Sequence, residues 1–551
     1  MNKFVLALVI ILTTTYTLWS QTVLLHIETK TDSLTESSTF KFNSFDEAEE
    51  QLKFKTDSLK QSAYPFLKQK QTIKKNNLHA TLELNRKIDS IHITVEERHI
   101  PFLPKDILPK DNKISIPYSK VENFLNSIVY KLKNEGSSFG KTSLTHIKVT
   151  GENVMEADLK IETGLKRTVD KVNIRGYSSL SKTYVSRFSN LKTGKTFVES
   201  DIQNKTEQLN NIPFIRVTKP TEVLFKKDST ELFVYLEKVN SNSFDGFLGF
   251  GSTDENNFQL NGYLNMVLLN NLDFGERLSI IYKNDGTGQQ TFEGNIKLPF
   301  LLKSPLSLEA GLRLFRRDSS FSNSSQLLEL NYQLNEKISL EGGIEFTTST
   351  NTETEAVIST SEIIGYNSTF YGLGFSFLKL NSRERFDENT FLKVRAAFGN
   401  RKAKTNSDQY KLSLTGQHQI SLNARNKIYL SLSSQILISD AFVNNELFRF
   451  GGVNSIRGFA ENSLIANRFA VLQTEYRYLL DANLFANTVL DLGNYKNKLD
   501  DINENNLGYG IGLGLRSNAG IFRLILANSV SNNQNTTFSN SKIHISFTSF
   551  F

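Results

Sequence analysis

The residues best placed to do chemistry in this chain lie in one segment, Phe448-Arg449-Phe450-Gly451-Gly452-Val453-Asn454-Ser455-Ile456-Arg457-Gly458-Phe459. Glycines weaken strand interiors and favour turns or close backbone approach, so Gly451, Gly452 and Gly458 mark a structured loop, with Ile456 and Phe459 as its apolar flanks. The chemistry on offer is charge pairing. An arginine enclosed away from water needs carboxylate partners, because an unpaired buried charge costs several kcal/mol. Spacing alone reads Arg457 equally as an exposed loop arginine or as one turned inward. Catalytic signals are scarce: beyond residue 240 the only histidines are His418 and His544, and neither a Gly-x-Ser-x-Gly elbow nor a His-Glu-x-x-His helix occurs. The chain has no cysteine, which excludes disulfides, thiolate metal sites and a lipoprotein anchor. No enzyme activity, cofactor or metal is expected.

The elements that carry this loop alternate with period two. From about residue 244, strands are predicted near 244, 257, 275, 289, 306, 324, 336, 368, 388, 407, 426, 463, 483, 506, 519 and 541, separated by Asn, Ser, Asp and Gly clusters. Sixteen is an even number, as closure of a single-chain membrane barrel usually requires. The last strand puts Ile543, Ile545, Phe547 and Phe551 on one face and His544, Ser546 and Thr548 on the other, which suits lipid outside and a polar lumen inside. Mean hydropathy is only -0.31, and beyond the N-terminus no run of about 18 apolar residues could form a spanning helix. Any crossing of a bilayer is therefore by strands. The competing architecture is a large soluble β-sandwich, which the many strands, few prolines and N-terminal signal disfavour.

Residues 1–20 have Lys3, an apolar run from Phe4 to Leu12 and a polar end at Ser20-Gln21, the layout of a secretory signal peptide cleaved after about Ser20. The formal charge of +7 is uneven: Lys and Arg outnumber Asp and Glu by 36 to 28 in residues 1–240, but stand at 28 to 29 from 241 onward. The basic excess belongs to the N-terminal part, where it reads as a solvated face, with contact to anionic lipid or acidic client segments as the other reading. Nucleic-acid binding does not fit behind a signal peptide. After the signal a pattern recurs with a period near 80, clearest from Val169 on. There a strand is followed by a helix starting near Ser181, a break at Lys192-Thr193-Gly194, a second helix from about Glu199 to Leu209, and strands Phe214 to Phe225 and Leu232 to Glu237, the former interrupted at Pro220. Strand, helix, helix, strand, strand over this length resembles the polypeptide-transport-associated (POTRA) domain. Residues 166–240 are read as one such domain and residues 87–165, with a helix from Val121 to Lys133, as another. Residues 21–86 offer only a helix around Phe45 to Ser62 and a closing strand Leu78 to Leu84, and are read as a divergent POTRA-like domain. Residues 241–551 form the barrel, so the fold class is mainly β: a transmembrane antiparallel barrel preceded by α+β domains.

Gly451-Gly452 followed by Ile456-Arg457-Gly458-Phe459 resembles the Val-Arg-Gly-Phe/Tyr loop of the BamA and TamA superfamily, the bacterial surface antigen proteins that insert or translocate outer-membrane proteins. In that family the motif lies in the sixth extracellular loop, between the eleventh and twelfth strands, where the strand count also puts it. The resemblance implies that Arg457 folds into the lumen and pairs with acids on the following strands, at positions held here by Glu475 and Asp491. It further implies a C-terminal targeting signal at Ile543, Ile545, Phe547 and Phe551. Asn270-Asn271 and Phe274-Gly275-Glu276-Arg277 resemble the family's Asn-Leu-x-Gly-x-Gly turn, with Asp273-Phe274 altering the spacing. The implied role is client capture by POTRA edge strands and release through a weak seam between the first strand, with Gly246, Gly249 and Gly251, and the last. Implied partners are the outer-membrane bilayer, unfolded outer-membrane or secreted clients, and periplasmic or inner-membrane accessory proteins, with the N-terminal domains in the periplasm. Two other classes fit the same outline: a two-partner secretion transporter, which passes one exoprotein through the lumen, and a passive porin, for which the N-terminal repeats would have no purpose.

Overall fold

The computed structural model describes residues 22–31, 34–75, 77–252, 258–284, 288–318, 320–353, 363–380, 390–517, 519–531 and 541–551. The predicted signal peptide lies outside them. Two compact bodies divide the chain, the second comprising Val169–Gly194 and Ser200–Phe551.

The first body holds two small sheets. In the first, β1 (Val23–Lys30), β2 (Thr35–Phe42), α1 (Phe45–Ser62), β3 (Lys68–Lys74) and β4 (Asn77–Glu83) give the order β2-β1-β4-β3, with β1 and β4 parallel. Helix α1 begins where the Ser44 hydroxyl accepts from the Glu47 amide at 3.2 Å and the Glu47 carboxylate accepts from the Asn43 amide at 3.1 Å. These satisfy amides that a helix start would otherwise leave orphaned. Ala48 and Leu52, four apart on one helix face, pack on the sheet residues Leu25, Ile27, Leu78 and Leu82. The second sheet repeats the plan. It is built from β5 (Ser90–Thr94), β6 (Lys113–Pro117), α2 (Val121–Asn134), β7 (Lys141–Val149) and β8 (Val154–Glu162), in the order β6-β5-β8-β7. Phe124, Ile128 and Leu132 of α2 are its buried stripe. Both units are therefore hairpin, helix, hairpin, with an added strand where the sequence pattern led to a first helix.

In the second body, β9 (Lys171–Gly176), α3 (Lys182–Ser189), α4 (Glu199–Gln208), β10 (Ile215–Phe225) and β11 (Thr230–Lys238) have the predicted strand, helix, helix, strand, strand order, in a sheet β10-β11-β9. Register shifts between Val217 and Glu222 bracket Pro220 on the edge strand β10, where a residue without an amide proton is tolerated.

A closed sixteen-stranded barrel follows. Its first strands are β12 (Ser243–Ser252), β13 (Phe258–Leu269), β14 (Arg277–Asn284), β15 (Gln289–Leu298), β16 (Leu306–Arg317) and β17 (Phe321–Gln333). Next come β18 (Ile338–Asn351), β19 (Tyr366–Lys379), β20 (Thr390–Lys402), β21 (Ser407–Ser421) and β22 (Asn426–Ser439). A loop containing the short hairpin β23 (Phe448–Phe450) and β24 (Leu464–Ala466) precedes β25 (Arg468–Leu479), β26 (Leu484–Asn497), β27 (Ile502–Ser517), β28 (Gly520–Ser531) and β29 (Lys542–Phe550). The strand predicted near 463 thus starts in the barrel wall only at Arg468, because Leu464–Ala466 pairs inside the loop with Phe448–Phe450.

Burial is inverted relative to a water-soluble fold. Along β17, Leu328, Leu330 and Tyr332 are 54%, 49% and 46% exposed while the intervening Glu329 and Asn331 are 1% and 2% exposed. Apolar side chains face out, as a lipid-embedded wall requires, and polar ones line the lumen. Among the described residues no helix is long and apolar enough to cross a membrane. The wall is continuous but uneven. Strands β26 and β27 match fourteen residue pairs, from Leu484↔Leu515 to Asn497↔Ile502. The closing strands β12 and β29 match only Ser243↔Phe550, Phe244↔Ser549 and Asp245↔Thr548.

Candidate functional site: the inward loop and the barrel seam

The loop between the eleventh and twelfth barrel strands turns into the lumen, and its tip arginine is 2% exposed. Arg457 holds Asp491 of β26 in a two-pronged grip, Nε to Oδ2 at 2.8 Å and Nη2 to Oδ1 at 2.6 Å, and its own amide donates to the same Oδ2 at 2.9 Å. Its Nη1 donates to Glu475 of β25. Glu475 in turn accepts from Arg477 Nε at 2.7 Å, and the Arg477 guanidinium lies 4.3 Å from the Tyr429 ring centroid. Two cations and two anions thus close a neutral quartet. Asp491 is fully enclosed, and Glu475 and Arg477 are 5% and 6% exposed. Charges this dry are tolerable only in such a paired, hydrogen-bonded arrangement.

The residues around the arginine explain how the chain can reach that position. Gly458 sits at φ +91°, and a Cβ there would collide with the Asn528 carbonyl of β28. The Gly458 carbonyl accepts from the Ser529 hydroxyl at 3.2 Å. On β27, Gly508 leaves room for the Arg457 carbonyl, which any side chain would strike. Ile456 and Phe459 join Phe450, Phe469, Val471 and Tyr495 in an apolar cluster, in which the Phe450 and Phe469 rings stack with centroids 4.4 Å apart. Gly451 and Gly452 turn the chain at φ +115° and +92°, and the Gly452 amide donates to the Ile456 carbonyl at 3.2 Å, closing the tip.

A second fastening was invisible to sequence reasoning. The loop's first limb makes a short turn at Asn444–Glu446, and Glu446 accepts from the buried Arg401 of β20 at 2.6 Å and from Gln409 of β21 at 3.0 Å. Asn445 donates to Ser349 of β18 at 2.6 Å, and its carbonyl accepts from Asn323 of β17 at 2.7 Å. The tip is therefore tied to β25–β28 and the limb to β17–β21, two different sectors of the wall. Glu461, past the tip, accepts from Lys283 of β14 at 2.6 Å. Beneath the limb lies a cavity of about 420 Å³, lined among others by Glu293, Arg313, Glu345, Arg395 and Lys411. Lys411 pairs with Glu345 at 2.9 Å and Arg313 with Glu293 at 3.0 Å. Among the described residues no group of histidines and carboxylates is placed to hold a metal ion.

The structure thus brings Gly451, Gly452, Ile456, Arg457, Gly458, Phe459, Glu475 and Asp491 together. Ile543, Ile545, Phe547 and Phe551 lie elsewhere, on β29 and just past it, with Ile543 and Ile545 67% and 47% exposed. Arg477 was missed, although its place two residues beyond Glu475 on the same strand face was a signal for it.

A model of the haemolysin secretion/activation protein family ShlB/FhaC/HecB matches residues 306–516. No curated protein matches the chain in sequence. Among solved structures, CdiB from Escherichia coli is 14% identical with a TM-score of 0.52, the alignment covering 92% of this chain and 97% of that one. BamA from Haemophilus ducreyi lacking POTRA domains 1–3 is 16% identical with a TM-score of 0.50, covering 85% and 100% respectively. CdiB from Acinetobacter baumannii is 14% identical with a TM-score of 0.50, covering 85% and 91%. These solved structures show a fold shared with BamA and CdiB, and the ShlB/FhaC/HecB family model matches a part of the barrel, residues 306–516.

Proposed function

We propose that the protein inserts or translocates other proteins at the outer membrane, with residues 21–86, 87–165 and 166–240 acting as periplasmic client-capturing domains and residues 241–551 as the working barrel. The observation that carries this reading is the three-pair closure of β12 on β29. Each missing pair leaves backbone donors and acceptors on a strand edge, a template on which an extended client strand can add. The pinned loop supports it from the other side. Arg457 bound to Glu475 and Asp491 and the limb tied down by Arg401 hold the loop inside the lumen, which favours an exit through the wall over one through the pore. No catalytic group or nucleotide is needed. Clients are unfolded barrel or secreted proteins, recognised by backbone pairing more than by sequence.

The absence of native cysteine makes the test clean. Cysteines at the facing positions Phe244 and Ser549, oxidised to a disulfide, should leave heat-modifiable migration intact. They should slow insertion of a urea-unfolded eight-stranded barrel into liposomes, recoverably on reduction. An oxidised, crosslinked barrel that works at the reduced rate would eliminate the seam and leave passage through the lumen, as in two-partner secretion, as the mechanism.

A further inference from the structure

We infer that the turn joining β13 to β14, Asn270 to Glu276, is a latch by which the sheet β10-β11-β9 positions the first barrel strand, with Asp273 as its keystone. The inference rests on the proposed working role of the seam.

The turn is shaped before it engages anything. Asn270, Asp273 and Gly275 all have positive φ, at 60°, 62° and 86°. Three internal bonds brace it: the Asn270 amide to the Glu276 carbonyl at 2.8 Å, the Gly275 amide to Asn270 Oδ1 at 2.8 Å, and the Leu272 amide to Glu276 Oε1 at 2.6 Å. Asn270 is wholly buried and Glu276 is 6% exposed. So many constraints on seven residues hold a conformation that only over-determination would maintain.

The turn then docks. The Asp273 carboxylate accepts from the Tyr177 hydroxyl and, at 3.0 Å, from the Lys238 ammonium. The Asp273 carbonyl accepts from the Ser181 amide at 2.8 Å, immediately before α3. Asn270 Nδ2 donates to the Tyr177 oxygen at 2.8 Å. Gly275 lies flat on the Tyr184 ring, where any Cβ would overlap it. Tyr184 also packs on Phe214 and Phe300, with centroids 5.3 and 5.4 Å apart, and Arg187 reaches the Lys303 carbonyl in the next turn at 2.6 Å.

The consequence for the seam follows from chain connectivity. Lys238, which grips Asp273, is the last residue of β11, and β12 begins at Ser243. Between them, Asn242 Oδ1 accepts from the Leu269 amide and the Asn242 carbonyl accepts from the amide of Phe551, both at 3.0 Å. One short linker therefore joins the latched lysine, the end of β13, the root of β12 and the end of the chain. Releasing Asp273 frees the support of the root at which the seam's three pairs are made.

The test uses the full-length protein in bilayer nanodiscs without any client, so its outcome is separate from that of the insertion assay. Spin labels on cysteines at Asp228, in the β10–β11 turn, and Glu336, in the β17–β18 turn, report the distance between the sheet and the barrel rim. A narrow distribution is expected for the parent. Asp273→Asn and Tyr177→Phe, which remove a charge and a hydroxyl while keeping shape, are expected to broaden it and to raise the undocked population on the order of tenfold, the scale of a lost charge-assisted hydrogen bond. In the same backgrounds, the oxidation yield of the Phe244/Ser549 cysteine pair is expected to fall. Parent-like distances in both variants would overturn the latch. Broadened distances with an unaltered seam yield would equally overturn its positioning role.

Discussion

Replacing Arg457 by alanine removes one cation from a quartet whose other members stay where the strands hold them. Glu475 keeps its bond to Arg477 at 2.7 Å. Asp491, fully enclosed, loses both hydrogen bonds from the guanidinium and keeps the one from the residue-457 amide at 2.9 Å. Stripping one partner from a buried pair costs about 3–5 kcal/mol, most of it the penalty on the charge left behind. At about 1.4 kcal/mol per factor of ten, the pinned population should fall by at least on the order of a hundredfold relative to the released one. Hydrogen exchange of the loop amides from Phe448 to Ala466 reads that ratio directly, since local opening sets their protection. Asn454→Ala, at an exposed position of the same loop, should change protection by less than about threefold, as surface substitutions do. The double change Arg457→Ala with Asp491→Ala should cost less than the single one, because it removes the stranded anion as well. Client insertion should decline in the same order. Loop protection in Arg457→Ala equal to that in Asn454→Ala would refute the reasoning, since it would mean that the aromatic cluster alone holds the tip.

The second fastening makes a parallel prediction: Arg401→Leu should open the limb and raise single-channel conductance, whereas Arg401→Leu with Glu446→Leu should restore much of the closure, because the pair can be replaced by packed apolar groups but not halved. Acid should loosen the latch at the barrel rim. The Tyr177 hydroxyl, then the Lys238 ammonium, hold the Asp273 carboxyl below its ordinary value, and Asp273 in turn raises Lys238. The contribution of Asp273 is therefore complete above its unfolded value of about 3.9 and is lost as pH falls through the lowered one. The Asp228/Glu336 spin-label distribution should stay narrow at neutral pH and broaden only below about pH 4, and in Asp273→Asn it should be broad throughout.

What the sequence reveals follows the physics of exposure. The barrel strands are legible because each has to show lipid one kind of side chain and the lumen another, so Leu328-Glu329-Leu330-Asn331-Tyr332 announces its own geometry. Helix α1 is legible through Ser44 and Glu47 at its start and the Ala48 and Leu52 stripe. Strands β2 and β3 are not: Thr-Glu-Ser-Ser-Thr-Phe-Lys-Phe and Lys-Gln-Lys-Gln-Thr-Ile-Lys are largely exposed edge strands, and an edge that buries nothing carries no period. The loop motif locates Arg457, but Glu446 and Arg401 lie 45 residues apart, and Tyr177 and Asp273 lie 96 apart. Only the closed fold makes them neighbours.

The same remoteness orders the way the molecule is made. The loop's fasteners come from β14, β17, β18, β20, β21, β25, β26 and β28, and contacts so distant along the chain form late because loop closure must precede them. The tip cannot find Asp491 and Ser529 together until β26 and β28 stand on either side of β27. Fastening the loop is thus a late event of the barrel's own maturation, and a fastened loop certifies that the wall from β14 to β28 is already in register.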